Sequence, residues 1–160
     1  MTNQWVNSYK RLVVGYEAPM YVAWARNNRS AVVNVPRSKR NRAEASRIEY
    51  RAPDPACNPY LTFAVVLAAG LAGIEEGYEL PPDTSANLYQ LTPKELDAQG
   101  ISPLPGSLSD ALTAMEGSAL VADTLGEHVF EWFLRNKRAE WGSYKAHVSQ
   151  FELDRYLPVL

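Results

Sequence analysis

Two different rhythms of apolar residues divide this chain. In the first third, MYVAW (20–24), SAVVNV (30–35) and RIEYR (47–51) have the β-branched and aromatic content of short strands. RNNR (26–29) predicts a tight connection between the first two, and Pro36 ends the second. PRSKRNRAEAS (36–46) is a long polar loop leading to the third. After it, PDPACNPY (53–60) is too rich in proline for regular structure until Asn58, which can cap a helix with Pro59 at its first position. That helix runs to about Ile74, is apolar nearly all round, and is therefore predicted to lie buried. TPKE (92–95), SLSD (107–110) and SQFE (149–152) each place a capping hydroxyl three residues before an acid, so helices start there. From about Glu127 to Val148, Phe130, Phe133, Leu134, Trp141, Tyr144 and Val148 recur at helical spacing. The pattern predicts an α+β unit, a small antiparallel part-sheet followed by a helical layer, with no domain boundary inside residues 1–160.

At 160 residues with 46% apolar and 21% charged positions, the chain is globular in composition and long enough for one core. A single cysteine, Cys57, excludes an internal disulfide framework and fits a reducing compartment. MTNQWVNSYKRL lacks the plan of a signal peptide, and the longest apolar stretch, Tyr60 to Ile74, falls short of the roughly 20 residues a spanning helix needs. A cytoplasmic protein without a membrane segment is expected. The net charge of −2 conceals an asymmetry: residues 26–51 carry eight bases and two acids, and residues 52–160 carry six bases and fifteen acids. The basic segment fits either a small anionic partner or a solvated loop containing Arg37, Lys39, Arg40 and Arg42. Nucleic acid is disfavoured, because the acidic remainder would repel a polyanion.

Phosphate loops of the Walker or dinucleotide type, paired-cysteine zinc motifs and a Gly-x-Ser-x-Gly elbow are absent from the sequence. His128 and His147 lack spaced partner ligands, and Cys57 lacks a basic neighbour, so all three read as structural or surface residues. In RIEYR, a strand would put Arg47, Glu49 and Arg51 on one face and Ile48 and Tyr50 on the other. Two guanidiniums beside a carboxylate make a poor core wall. They are either a structural ion network or a site for phosphate, carboxylate and a divalent metal.

NSYKRLVVGYEAP, ARNNRSAVVNVP and RIEYRAPDPACNPYLTFAVVLAAGLAGI, in that order and spacing, resemble the C-terminal part of the catalytic domain of type I glutamine synthetase. The tail LGEHVFEWFLRNKRAEWGSYKAHVSQFELDRYL is similar too, so the resemblance covers essentially the whole chain. The tail and ACNPYLTFA look most like actinobacterial members, some of which are γ-glutamylpolyamine synthetases. The resemblance implies an ATP- and Mg²⁺- or Mn²⁺-dependent ligase that forms glutamine from glutamate and ammonia through a γ-glutamyl phosphate. It assigns Glu49 to a metal ion, Arg11 and Arg51 to the glutamate substrate, and Arg47 to the nucleotide. Arg29 would contact the nucleotide and stabilise the transferred phosphoryl group, and Glu17 would bind and deprotonate ammonium. With no second acid near Glu17, ammonia is favoured over a polyamine as acceptor. Tyr89 falls where some members are adenylylated, and is otherwise a surface tyrosine.

The resemblance further implies that the full-length protein is a homo-oligomer, a dodecamer of two rings. Against that pattern, Asn34 stands where the family usually has an arginine, and the N-terminal β-grasp domain and the first part of the catalytic domain have no counterpart here. The chain is therefore expected to be a fragment, a truncated product or one piece of a split enzyme, inactive alone. The alternative is a non-catalytic remnant that binds nucleotide or a synthetase ring.

Overall fold

The computed structural model describes residues 1–13, 18–37 and 46–160. Its strands are β1 (Tyr21–Arg26), β2 (Ala31–Val35) and β3 (Glu49–Tyr50), in the order β1-β2-β3. Helices follow: α1 (Pro59–Glu75), α2 (Pro93–Ala98), α3 (Leu108–Glu116), α4 (Ala119–Ala146) and α5 (Gln150–Tyr156). A part-sheet followed by a helical layer is thus what forms, but the sheet is mixed. β2 and β3 are antiparallel, whereas β1 and β2 run parallel, with Tyr21 beside Ala31 and Arg26 beside Val35.

The connection at RNNR is short, as expected, but it returns the chain parallel to β1 and not antiparallel. Asn27 takes a positive φ of 53°, and a turn across Asn28–Ala31 follows, closed by the Ala31 N–H on the Asn28 carbonyl at 3.4 Å. Two reversals restore the original direction. They are held by Asn28, whose Nδ2 donates to the carbonyls of Thr84 (2.9 Å) and Ala86 (2.8 Å) and whose Oδ1 accepts from the N–H (3.0 Å) and Oγ (2.7 Å) of Ser30. The third strand is also shorter than RIEYR, with only Glu49 and Tyr50 in the ladder and the Arg51 N–H on the Val32 carbonyl extending it at 2.8 Å.

The helix starts follow their caps. The Asn58 side chain accepts from the N–H groups of Tyr60 and Leu61, and Ser107 accepts from that of Asp110. Thr92 with Glu95 and Ser149 with Glu152 form reciprocal capping boxes. The long helix starts afresh at Glu127 as expected, and α4 carries an earlier helical arm from Ala119 that ends at Gly126, where φ 71° and ψ 156° are a conformation open to glycine.

One core cluster joins Tyr9 and Leu12 to Leu108, Leu112, Met115 and Leu134, with Phe130, Phe133 and Trp141 packed against it. A smaller one, Leu88, Leu96 and Ile101, lies under Tyr21 and Ala23 of β1. Tyr144 and Val148, placed on the same stripe by spacing, stay exposed. The larger correction concerns α1. It packs against α4, yet Thr62 is its one buried residue, and Tyr60, Phe63, Leu67, Leu71 and Ile74 are 84, 71, 64, 47 and 78% exposed. An apolar helix is buried only where other parts of the chain cover every side, and among the described residues one stripe has no cover. Among the described residues, no helix is long and apolar enough to cross a membrane.

Candidate active site

The site grows from the register of β2 on β3. Asn34 and Glu49 are direct partners across the antiparallel pair, so their side chains share a face. Asn34, buried in the sheet, donates Nδ2 to Glu49 Oε2 at 3.0 Å. Arg47 reaches Glu49 Oε1 from the same strand face at 3.2 Å, with the guanidinium itself largely in water. The Asn34 amide is the main reason the Glu49 carboxyl sits below its ordinary value of 4.5. The little desolvation it suffers works the other way, and Arg47 adds to the lowering. Glu49 is therefore a fixed, ionised oxygen donor at neutral pH.

A second polar group is assembled at the end of β3. Arg11 follows a short 3₁₀ turn, Val6–Lys10, and its Nη2 donates to the carbonyls of Ala52 (2.6 Å) and Pro53 (3.3 Å) and to Asn3 Oδ1 (3.4 Å). This places Arg11 one residue beyond Arg51. Arg11 Nε is buried with no hydrogen-bond partner among the described residues. Tyr50, on the opposite side of the strand, has its phenol pKa raised by burial.

Arg29 is carried on the return between β1 and β2. It lines a cleft of about 420 Å³ with Arg26, Asn28 and Tyr89. A larger cleft of about 940 Å³ on the other side of Asn27 is lined by Arg26, Arg37 and Arg47 together with Ile48 and Val35. Tyr89 is not on a free loop as expected: it is half-buried in a 3₁₀ turn, and its hydroxyl donates to the Ala18 carbonyl at 2.8 Å. Glu17, with Lys39, Arg40 and Arg42 of the basic segment, lies outside the described residues. Cys57 is a free, half-buried thiol, and His128 and His147 are exposed.

The structure thus brings Arg47, Glu49, Arg51 and Arg11 together at β3 and sets Arg29 on the adjoining return. Among the described residues no group of three or more His, Cys, Asp or Glu side chains could enclose a metal. Glu49 by itself fits a Mg²⁺ site of the kind that uses one or two carboxylates and completes its shell with water and phosphate oxygens.

A model of the glutamine synthetase catalytic domain matches residues 1–156. The chain belongs to that family. Glutamine synthetase of Mycobacterium tuberculosis (strain ATCC 25618 / H37Rv) is 58% identical over 157 residues, covering 98% of this chain and 35% of the relative. That of Methanosarcina mazei is 49% identical over 160 residues, all of this chain and 35% of the relative. Among solved structures, a GmaS/ADP complex superposes with a TM-score of 0.80 at 35% identity, over 98% of this chain and 35% of that one. A Plasmodium falciparum glutamine synthetase determined by electron cryomicroscopy gives a TM-score of 0.79 over 97% of this chain and 37% of that one; at 24% identity it supports the fold alone. The chain spans about a third of the length of the curated relatives it matches.

Sequence reasoning treated Asn34 only as a departure from the family pattern, and it gave no role to Asn28. The available signal was positional: if SAVVNV and RIEYR pair antiparallel, an amide on one strand can fall opposite the acid of the other. Arg26 as a cleft-lining residue was equally unassigned, whereas Arg37 belonged to the basic segment read as either a site for a small anion or a solvated loop.

Proposed function

We propose that this chain supplies the strand-borne half of the active site of an ATP-dependent ligase that joins ammonia to the side-chain carboxylate of glutamate. The observation that carries the reading is Glu49, ionised and fixed between Asn34 and Arg47, with Arg11 docked beside Arg51. Family membership supports the reaction class, and the ADP named in the GmaS complex supports a nucleotide.

In this reading, Arg11 and Arg51 hold the carboxylates of glutamate as guanidinium forks do. A γ-carboxylate oxygen of glutamate attacks the terminal phosphorus of ATP, forming a C–O–P linkage as the bond to ADP breaks. Arg29 and Arg47 stabilise the charge spread over the phosphoryl oxygens in transfer. A divalent metal held by Glu49 would neutralise phosphoryl oxygens and orient them for in-line displacement. Glu17 takes a proton from ammonium, the resulting ammonia attacks the activated carbonyl carbon, and phosphate leaves. Oligomeric assembly is part of the same reading, supported by the uncovered stripe of α1.

The test joins this chain to the remaining two-thirds of the Mycobacterium tuberculosis relative and measures ADP release. Turnover should require glutamate, ATP and a divalent metal, with kcat/KM higher for ammonium than for putrescine or spermidine. The 160-residue chain alone should release no ADP above background. A folded joined protein without turnover, or turnover by the short chain at enzyme rates, would overturn the reading. A preference for a polyamine would correct the acceptor.

A further inference from the structure

We propose that Asn34 is a positioning residue, one side chain that sets both the Glu49 carboxylate and the return carrying Arg29. It is 5% exposed and directly opposite Glu49 across the β2–β3 pair. Its Nδ2 donates to Glu49 Oε2 at 3.0 Å while its Oδ1 accepts the Asn28 N–H at 3.1 Å. The two partners determine the orientation of the amide, since a carboxylate can only accept here and a backbone N–H can only donate. Asn28 passes the constraint on through Ser30, whose Oγ also accepts the buried Leu88 N–H at 3.1 Å. Arg29 lies between the two residues so fixed.

The chemistry of the carboxamide explains why it suits this place. Leucine could serve neither partner, aspartate could accept from Asn28 but would repel Glu49, and arginine could donate to Glu49 but accept nothing from Asn28. Arginine would also bring a positive charge against Glu49. The neutral amide fixes the plane of the carboxylate and leaves its full charge for a cation, while the charge of Arg47, 61% exposed, is screened by water. The group meant for a metal and the group meant for phosphoryl oxygens are therefore aligned by a shared amide. The catalytic consequence rests on the ligase reading, and the coupling itself does not.

The experiment uses the isotopically labelled 160-residue chain and the variants Asn34→Asp and Asn34→Leu. One readout is the carboxylate carbon resonance of Glu49, assigned by its loss in Glu49→Gln. The other is hydrogen exchange at the Asn28 amide. Asn34→Leu should move the Glu49 resonance and speed Asn28 exchange by roughly tenfold, the worth of one hydrogen bond. Asn34→Asp should move the Glu49 resonance and leave Asn28 protected, a separation that general loosening cannot produce. An unmoved Glu49 resonance in either variant, or Asn28 exchange unchanged in Asn34→Leu, would overturn the proposal. If Asn34→Leu fails to fold, Asn34→Asp still decides it, because loss of Asn28 protection in that variant counts against the proposal.

In the joined protein, Asn34→Leu should raise the Mg²⁺ concentration for half-maximal turnover by about 10- to 100-fold, as loss of groups that orient a metal ligand does. Should the joined wild-type protein be inactive, the ligase reading falls while the resonance and exchange results still judge Asn34.

Discussion

The apolar stripe on α1 makes the solution behaviour of this chain predictable. Tyr60, Phe63, Leu67, Leu71 and Ile74 are each between 47 and 84% exposed, spaced three or four residues apart along one side of the helix. Burying one such side chain completely is worth about 1.5–3 kcal/mol, so covering the stripe would contribute about 5–10 kcal/mol per copy. Association costs an estimated 4–15 kcal/mol in lost freedom, so two copies facing each other through this stripe sit near or beyond break-even. The isolated chain should therefore self-associate reversibly as its concentration rises.

Phe63→Glu with Leu67→Lys is the informative perturbation. It removes about 2–4 kcal/mol of that gain per copy, while the new Glu–Lys pair at i, i+4 favours the helix by about 0.3–0.5 kcal/mol. In sedimentation velocity the parent should shift to larger species with concentration, and the double variant should remain monomeric with unchanged helical circular dichroism. A parent that sediments as a monomer across a wide concentration range, or a double variant that associates equally, would refute the reasoning.

Three further outcomes are expected. Lys137, 6% exposed, pairs with Glu140 at 2.8 Å and lies 3.4 Å from the centre of the Trp5 ring, and Glu140 also accepts the Val6 N–H; Lys137→Met should cost about 1–3 kcal/mol by urea denaturation, less than the 3–5 of a fully buried pair because Glu140 is partly wet. Gly126→Ala should destabilise by about 1–3 kcal/mol, because a side chain is strained at φ 71°, ψ 156°; a more stable variant would mean that the break is not built into the fold. The Glu152 carboxyl is held low chiefly by the Ser149 hydroxyl, so its contribution to α5 is fully present above the ordinary value of 4.5 and is lost as pH falls below it; acid titration followed by amide exchange in α5 should show this loss, and Ser149→Ala should flatten it.

What the sequence disclosed, and what it withheld, follows from the range of each interaction. Asn58, Thr92, Ser107 and Ser149 were legible as helix starts because each cap and its partner lie within three residues. The parallel course of β1 and β2 was not, because it depends on Asn28 bonding Thr84 and Ala86, 56 and 58 residues away. The exposure of α1 was hidden for a different reason, since composition shows that a helix wants cover without showing that cover exists. The charged face of RIEYR was legible from alternation, whereas the part played by Asn34 required the register between strands.

The break at Gly126 has a consequence for how this chain can vary. Along an uninterrupted helix each residue adds about 100° of rotation, so one insertion would swing every later side chain to a different bearing. With the helix interrupted at φ 71°, the bearing of Glu127 onward is set by its own seating, by Leu134 in the core and Lys137 against Trp5. A change of length before the glycine would therefore not by itself dictate the bearing of the residues after it. Both arms still answer to one core, since Val121 and Leu125 before the break and Leu134 after it meet in the same cluster.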